Sequence, residues 1–426
     1  MKKVRFQKRL GMLLLSCILV LSLTGCLQTA ETSSGSPPNL TLQPAPTGPE
    51  STDIPYHGAG TKPPEENRSF TSLGWVSSED GRGFYIPGEQ KLHYYDLETR
   101  RLTSLCAQSG CMHVDETCGA WLGEWVRGFA VYDGYWYALS SENGGAVLRQ
   151  IDPQTRDKRV LCAFYSEQDY EYYEFTGGYV SHGYAYLWLN HSWSEGTEQP
   201  REYNLVRVNL SDGSAEPLTL TGNITFAGSD GDSVLLLAQF FTFDPMSEEE
   251  FLAKNPDGNY ENYLLEEMER AEAEGTTELR EYTFDMSDYR MVAEGDVWIS
   301  PTQALTRYGD YSLYAVGDTL HIYDLTTGES REIQAPGELI NFLIVDGTAI
   351  YLVRDPELKV YATALAGGES YLLEDRAGHS VVAFGISGEC ADAFYGIYTD
   401  TEPSTHGWIL KEDYYAGNYD QIVATD

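Results

Sequence analysis

The stretch 311–333, YSLYAVGDTLHIYDLTTGESREI, holds an apolar strand from Tyr311 to Val316 and, after a short polar gap, a second strand ending in Asp324-Leu325. The turn Thr326-Thr327-Gly328-Glu329 and a third strand, Arg331-Glu332-Ile333, follow. The order recurs along the chain. It is met at Gly83 to Ile86, Leu92 to Leu97 and Leu102 to Leu105, then at Gly134 to Leu139, Val147 to Asp152 and Val160-Leu161. A third copy has Gly183 to Leu187, Asn204 to Leu210 and the turn Ser211-Asp212-Gly213-Ser214, and another has Ala349 to Val353, Val360 to Leu365 and Ala366-Gly367-Gly368-Glu369. A period of about 40 to 50 residues with about four strands per unit predicts an all-β β-propeller, whose blades each leave apolar faces that only their neighbours cover. The length from residue 68 to 426 predicts about seven blades, with six to eight compatible. A β-sandwich pair or a β-solenoid is the competing architecture, but a sandwich has no reason to reuse this strand and turn order so often.

Composition agrees with many short strands and tight turns. Tyrosine, at 31 residues, and glycine, at 41, are abundant, and a tyrosine ring packs in a half-buried strand while its hydroxyl reaches water. Hydrophobic residues at 42% suffice for a large core. The 28 basic residues face 65 acidic ones, a formal charge of −37. Such a field repels phosphate backbones, which excludes nucleic acid as a partner, and it attracts cations.

One segment departs from the repeat. Residues 244–281, DPMSEEEFLAKNPDGNYENYLLEEMERAEAEGTTELRE, predict a helical insertion in a middle blade. Ser247 and Glu250 fit a capping box, and Tyr260, Tyr263, Leu264, Met268 and Ala271 share a helical face. Such an insert covers the apolar surface of its own blade, closes one end of the propeller or docks a partner.

The N-terminus carries an address. Lys2, Lys3, Arg5, Lys8 and Arg9 precede the apolar run Met12 to Leu23, which is too short to span a bilayer, and Leu23-Thr24-Gly25-Cys26 follows. This pattern resembles the bacterial lipoprotein signal. It implies a signal peptide over 1–25, cleavage before Cys26, and a lipid on that thiol that holds the protein to the extracellular face of the cell membrane. Residues 26–67 are rich in Pro, Ser, Thr and Gly and predict a disordered tether, since they cannot bury enough surface to offset their ordering entropy.

The dense chemical constellation is Cys106-Ala107-Gln108-Ser109-Gly110-Cys111-Met112-His113-Val114-Asp115-Glu116-Thr117-Cys118. Thiolates and a neutral imidazole suit tetrahedral zinc, so Cys106, Cys111, His113 and Cys118 are candidate ligands of a structural zinc, although the C-x4-C-x-H-x4-C spacing is not a familiar finger spacing. Outside the cytoplasm the same cysteines are disulfide candidates, with Cys111 and Cys118 closing a ring and Cys106 seeking Cys162 or Cys390. A redox or catalytic thiol is the third possibility. This run, with Gly119-Ala120-Trp121-Leu122 behind it and a blade ending in Thr103-Ser104-Leu105 before it, resembles the Cys-rich segment of many uncharacterised β-propeller lipoproteins of Firmicutes. The resemblance spans lipobox, linker and repeats. It implies a lipid-anchored propeller on a Gram-positive cell and lends no catalytic residue.

No G-x-S-x-G elbow, sialidase box, H-E-x-x-H motif, P-loop or D-x-[DN]-x-[DN]-G calcium loop is present. His182, His191, Asp285, Asp288, Glu294 and Asp296 are isolated candidates for a propeller funnel. The sequence therefore predicts a binding or scaffold module for a protein or glycan at the cell surface. A carbohydrate-active lyase or hydrolase using funnel carboxylates is the alternative.

Overall fold

In the computed structural model the chain forms seven sheets, each a meander of consecutive antiparallel strands. The structure describes residues 67–70, 76–78, 81–88, 90–106, 111–112, 115–165, 171–193, 202–218, 220, 223–256, 258–300, 307–373, 384–390, 392–398 and 405–425. The expected signal peptide, Cys26, the tether up to residue 66 and His113 lie outside the described residues.

Each sheet is one blade. Blade 1 is Val76–Ser77, Gly83–Pro87, Leu92–Asp96 and Arg101–Ser104, and blade 2 is Trp125–Tyr132, Tyr135–Glu142, Gly145–Ile151 and Lys158–Phe164. Blade 3 is Glu171–Ser181, Tyr184–Trp193, Glu202–Asn209 and Ala215–Leu218; blade 4 is Asn223–Ser229, Ser233–Phe240, Thr276–Thr283 and Tyr289–Gly295. Blade 5 divides its inner strand into Val297–Trp298 and Arg307–Tyr308, then continues through Tyr311–Val316, Thr319–Asp324 and Glu329–Gln334. Blade 6 is Glu338–Val345, Thr348–Asp355, Glu357–Ala364 and Tyr371–Leu373; blade 7 is Phe384–Cys390, Ala393–Tyr398, Thr405–Leu410 and Val423–Ala424. The fold is the expected all-β propeller, with seven blades.

The core is divided among the blade interfaces. In Tyr135–Glu142, Trp136 and Ala138 pack toward blade 1 while Tyr137 and Leu139 pack toward blade 3. In Ser233–Phe240, Val234 and Leu236 face blade 3 while Leu235 and Leu237 face blade 5. A strand apolar on both faces is what a propeller needs, because each blade is covered on two sides. The ring closes where Phe84 and Tyr95 of blade 1 meet Tyr395 and Trp408 of blade 7, with the Phe84 and Tyr395 rings 4.6 Å apart. Blades 6 and 7 are also joined by a buried ion cluster of Asp346, Glu389 and Lys411.

Local chemistry sets the hairpins. Asp133-Gly134, His182-Gly183 and Asp346-Gly347 have left-handed backbones at both residues, φ 47 and 73°, 46 and 78°, and 53 and 66°. This is the conformation of two-residue turns that match strand twist. Inner strands slip register by one residue near Gly128, Gly177, Gly228, Asn341 and Gly388. Such bulges bend a strand as it passes the axis.

Two sequence expectations are corrected. The linker was expected to extend through residue 67, but Asn67–Ser69 is a strand on the inner edge of blade 3, with Asn67 opposite Ser181. Phe70 follows it into the core between blades 2 and 3. The insertion was expected to run helically to 281, whereas helix α1 (Glu248–Lys254) and helix α2 (Tyr260–Glu274) end before Thr276–Thr283, which pairs with Ser233–Phe240. Thr277, Leu279 and Glu281 are buried at every second position, a strand period that wins over the helical pattern upstream.

Within the insertion the two helices pack on each other. Phe251 stacks on Tyr263 at 4.7 Å, and Tyr260 and Tyr263 bond through their hydroxyls to the backbone of Met246. The Ser247 hydroxyl accepts from the Glu250 N–H at 3.3 Å, as the capping box predicts. Ser247→Ala is expected to cost α1 about 1 kcal/mol. Native-state hydrogen exchange over 248–254 should quicken about fivefold while the blades are unchanged.

Candidate metal centre and the rim beside it

The site lies on the connection from the outer strand of blade 1 to the inner strand of blade 2. Its returning leg is pinned to blade 1: Leu92 N–H donates to Ala120 O at 2.8 Å and Leu122 N–H to Gln90 O at 2.8 Å. The turn before it closes through Cys118 N–H to Asp115 O and Trp121 N–H to Cys118 O, while the Asp115 carboxylate accepts from the Thr117 N–H and hydroxyl. Trp121 is then clamped by two cations of blade 2, with Arg149 at 5.1 Å and Lys158 at 5.4 Å from its ring. Lys158 also donates to Glu116 O at 2.9 Å and Cys118 O at 2.6 Å. Arg149 is held from behind by a buried pair with Glu142.

These contacts bring three thiols together. The Sγ atoms of Cys106, Cys111 and Cys118 all lie within 4.8 Å of one another, with Cys118 buried and the other two half-buried. The Ala120 N–H points at Cys118 Sγ at 3.4 Å. Burial, with the neighbouring Cys106 and Cys111 thiols, pushes the Cys118 thiol up to about 11. A divalent cation reverses that balance, because it binds the thiolate. The three sulfurs can hold a metal ion, and tetrahedral zinc would draw them to about 3.8 Å apart given its Zn–S bond length.

Cys162 and Cys390 carry free thiols. The partners considered for Cys106 lie elsewhere: Cys162 is buried between blades 2 and 3, and Cys390 between blades 7 and 1. Burial raises Cys162 to about 11 and Cys390 to about 12, so both are inert core thiols.

The loop leads directly into a rim of exposed rings. Gly123 is so close to Ser140 and Glu142 that a side chain there would overlap them. Trp125 comes next but one, 59% exposed, on the strand beside the hairpin tip Glu142 to Gly145. Glu124 accepts from the Asn143 N–H of that tip at 3.4 Å. Tyr165, 53% exposed, leans over Gly145, and Tyr173 N–H donates to Gly144 O at 3.0 Å, which places exposed Tyr172 alongside. Arg127 ties the two blades through Glu174 at 2.5 Å. Trp125, Tyr165 and Tyr172 thus surround one hairpin tip. The sequence reasoning missed this rim, although the run YSEQDYEYYE over 165–174 was its signal.

The funnel candidates do not converge. His182 occupies an inner hairpin turn and His191 stacks on Tyr173 at 4.3 Å. Asp285 and Asp288 share the turn between the third and outer strands of blade 4, Glu294 is on that outer strand and Asp296 follows it. Asp285 is held down to about 2 by the Ser287 and Thr283 hydroxyls.

No family model matches the chain, and no curated protein does. Solved structures resemble it in fold at low identity. An oligogalacturonate lyase in complex with manganese is 13% identical over 84% of this chain and 96% of its own, with a TM-score of 0.45. A puromycin-hydrolysing peptidase of Mycobacterium tuberculosis is 10% identical over 86% of this chain, which spans 56% of it, with a TM-score of 0.48. The β-propeller domain of a protease from Pyrococcus furiosus is 14% identical over 72% of this chain and 84% of its own, with a TM-score of 0.40.

Proposed function

We propose that this protein is a lipid-anchored binding module, attached through Cys26 to the extracellular face of a cell membrane, whose rim engages a protein or a glycan. The observation that carries this is the group of rings at Trp125, Tyr165 and Tyr172, exposed beside the loop that brings Cys106, Cys111 and Cys118 together. Exposed Trp and Tyr on a rigid scaffold are the residues that dominate recognition surfaces. Cys106, Cys111 and Cys118, with His113 as fourth ligand, would hold a structural zinc that keeps the loop feeding this rim in place. Lys158 and Arg156 favour the site electrostatically, since both lie in the field of Cys106.

Buried carboxylates do not favour the alternative lyase or hydrolase. Glu142, Glu281 and the Asp346–Glu389 pair are each engaged by Arg149, Arg290 and Lys411. Cross-linking the full chain in its native envelope should recover a discrete protein or glycan adduct that Trp125→Ala diminishes. Recovery of no adduct, or turnover of a polysaccharide by the purified chain, would overturn the binding reading.

A further inference from the structure

We infer that the rim around the hairpin tip Glu142 to Gly145 takes a basic polypeptide segment, whose Lys or Arg side chains lie on the faces of Trp125, Tyr165 and Tyr172. This rests on the binding reading above and names the chemistry of its ligand.

Charge complementarity selects the partner. The chain carries a formal −37, and Glu124, exposed beside Trp125, adds a local carboxylate. Each blade is a meander of the same polarity. Connections from second to third strands, and from outer strands to the next inner strand, therefore leave on one face. The Cys-rich loop, the hairpin tip and the helical insertion between Phe240 and Thr276 share that face. Helix α1 opens on Glu248, Glu249 and Glu250, and the two basic side chains of the helices, Lys254 and Arg270, are already committed to Glu250 and Glu267. The insertion therefore adds net negative charge to this face, which steers a cationic partner and repels an anionic one.

The rings supply the specific contact. Cations on aromatic faces recur throughout this fold: Arg149 and Lys158 on Trp121, Arg156 on Trp136 at 4.4 Å, and Arg307 on Tyr179 at 3.5 Å. Among the described residues no cation of the chain covers Trp125, Tyr165 or Tyr172. A cation of another molecule placed on those faces also meets the Glu124 carboxylate, which strengthens the attraction. A neutral glycan could stack on the same rings, but it would gain nothing from the charge.

The test uses the full chain in detergent micelles, a fluorescent peptide of alternating arginine and glycine, its glutamate counterpart, and chitohexaose as a neutral glycan. The arginine peptide should bind, and its affinity should fall at least tenfold between about 50 and about 300 mM NaCl as exposed charges are screened. Trp125→Ala and Tyr172→Ala should each weaken it about fivefold at constant protein charge. Tyr135→Ala, an exposed ring at the opposite end of the same blade, should leave it unchanged. Equal binding by all variants would mean diffuse attraction to an acidic protein and would overturn the inference, as would salt-insensitive binding of chitohexaose that depends on Trp125. If the envelope adduct still depends on Trp125 while the arginine peptide does not bind, the binding module stands and the basic partner falls.

Discussion

Lys411→Met is expected to lower the unfolding free energy by about 3 to 5 kcal/mol, the cost of stripping a buried ion pair of one partner. Lys411 begins helix α3 (Lys411–Ala416) and is 1% exposed. Its ammonium lies 2.9 Å from Asp346 Oδ1, in the blade 6 hairpin, and 2.8 Å from Glu389 Oε2, on the inner strand of blade 7. Glu389 Oε1 accepts the Asp346 N–H at 3.1 Å, and Asp346 Oδ2 is buried without a hydrogen bond. Two carboxylates share one cation here, so removing it leaves both uncompensated. Asp346→Asn and Glu389→Gln in the Lys411→Met background should restore most of the loss, because they leave no buried charge.

The cluster also sets a pH dependence. Burial raises Asp346 and Glu389 above the ordinary carboxylate range, opposed by Lys411; burial pulls Lys411 down, but Glu389 and Asp346 outweigh it and hold it above an ordinary lysine. The groups facing them, Asp392 toward Asp346 and Asp346 toward Glu389, act in the same upward direction. A group whose folded pKa is raised contributes stability below its unfolded pKa and loses it as pH rises through the folded one. All three therefore favour the folded state more at mildly acid pH than at alkaline pH. In Lys411→Met the carboxylates rise further, so the cost of the substitution should grow from pH 5 to pH 8. Urea unfolding of both proteins at the two pH values checks this, and an equal cost at both would mean that lost packing, not charge, is responsible.

The blades were legible because each is built from local signals. Asp133-Gly134 and Asp346-Gly347 announce hairpins with no help from the rest of the chain, and Leu313 to Ala315 is apolar on both faces because blades 4 and 6 both lean on it. Asn67–Ser69 was not legible. Three polar residues carry no period, and their partner is more than a hundred positions away. The ion cluster was hidden for the same reason: Asp346 and Glu389 lie on different blades, and nothing about Lys411 in LKEDYYAG shows that it points inward. In the candidate metal centre, the thiols were visible as a cluster in sequence. The Trp121 clamp was not, since Arg149 and Lys158 reach it from another blade.

Metal loading of Cys106, Cys111 and Cys118 is expected to bring about 4 kcal/mol of stability when free zinc is a thousandfold above its dissociation constant, since zinc would bind the folded loop and not the unfolded chain. Full chain prepared without reductant or chelator should carry one equivalent of zinc, and these three thiols should resist alkylation until the metal is stripped. Cys106 and Cys111 should then react before buried Cys118. The thiol of Cys118, raised to about 11, is protonated in the empty site at neutral pH and must release its proton to bind. That thiol alone should weaken apparent affinity tenfold for each unit of falling pH below 11. Because the other two thiols bind as thiolates too, chelator competition at pH 7 and pH 8, corrected for the chelator's own protonation, should give a ratio of tenfold or more. Loss of the metal should shift exchange and proteolysis at 105–124 and at Trp125 well before blades 4 to 7 respond, because the loop enters the rim through Gly123. A mass lower by two hydrogens with no zinc would instead establish a disulfide, and three thiols that alkylate at once with no zinc would leave the cluster without a ligand. Between those outcomes His113→Ala separates a fourth ligand, whose loss lowers affinity at every pH, from a bystander, whose loss changes nothing.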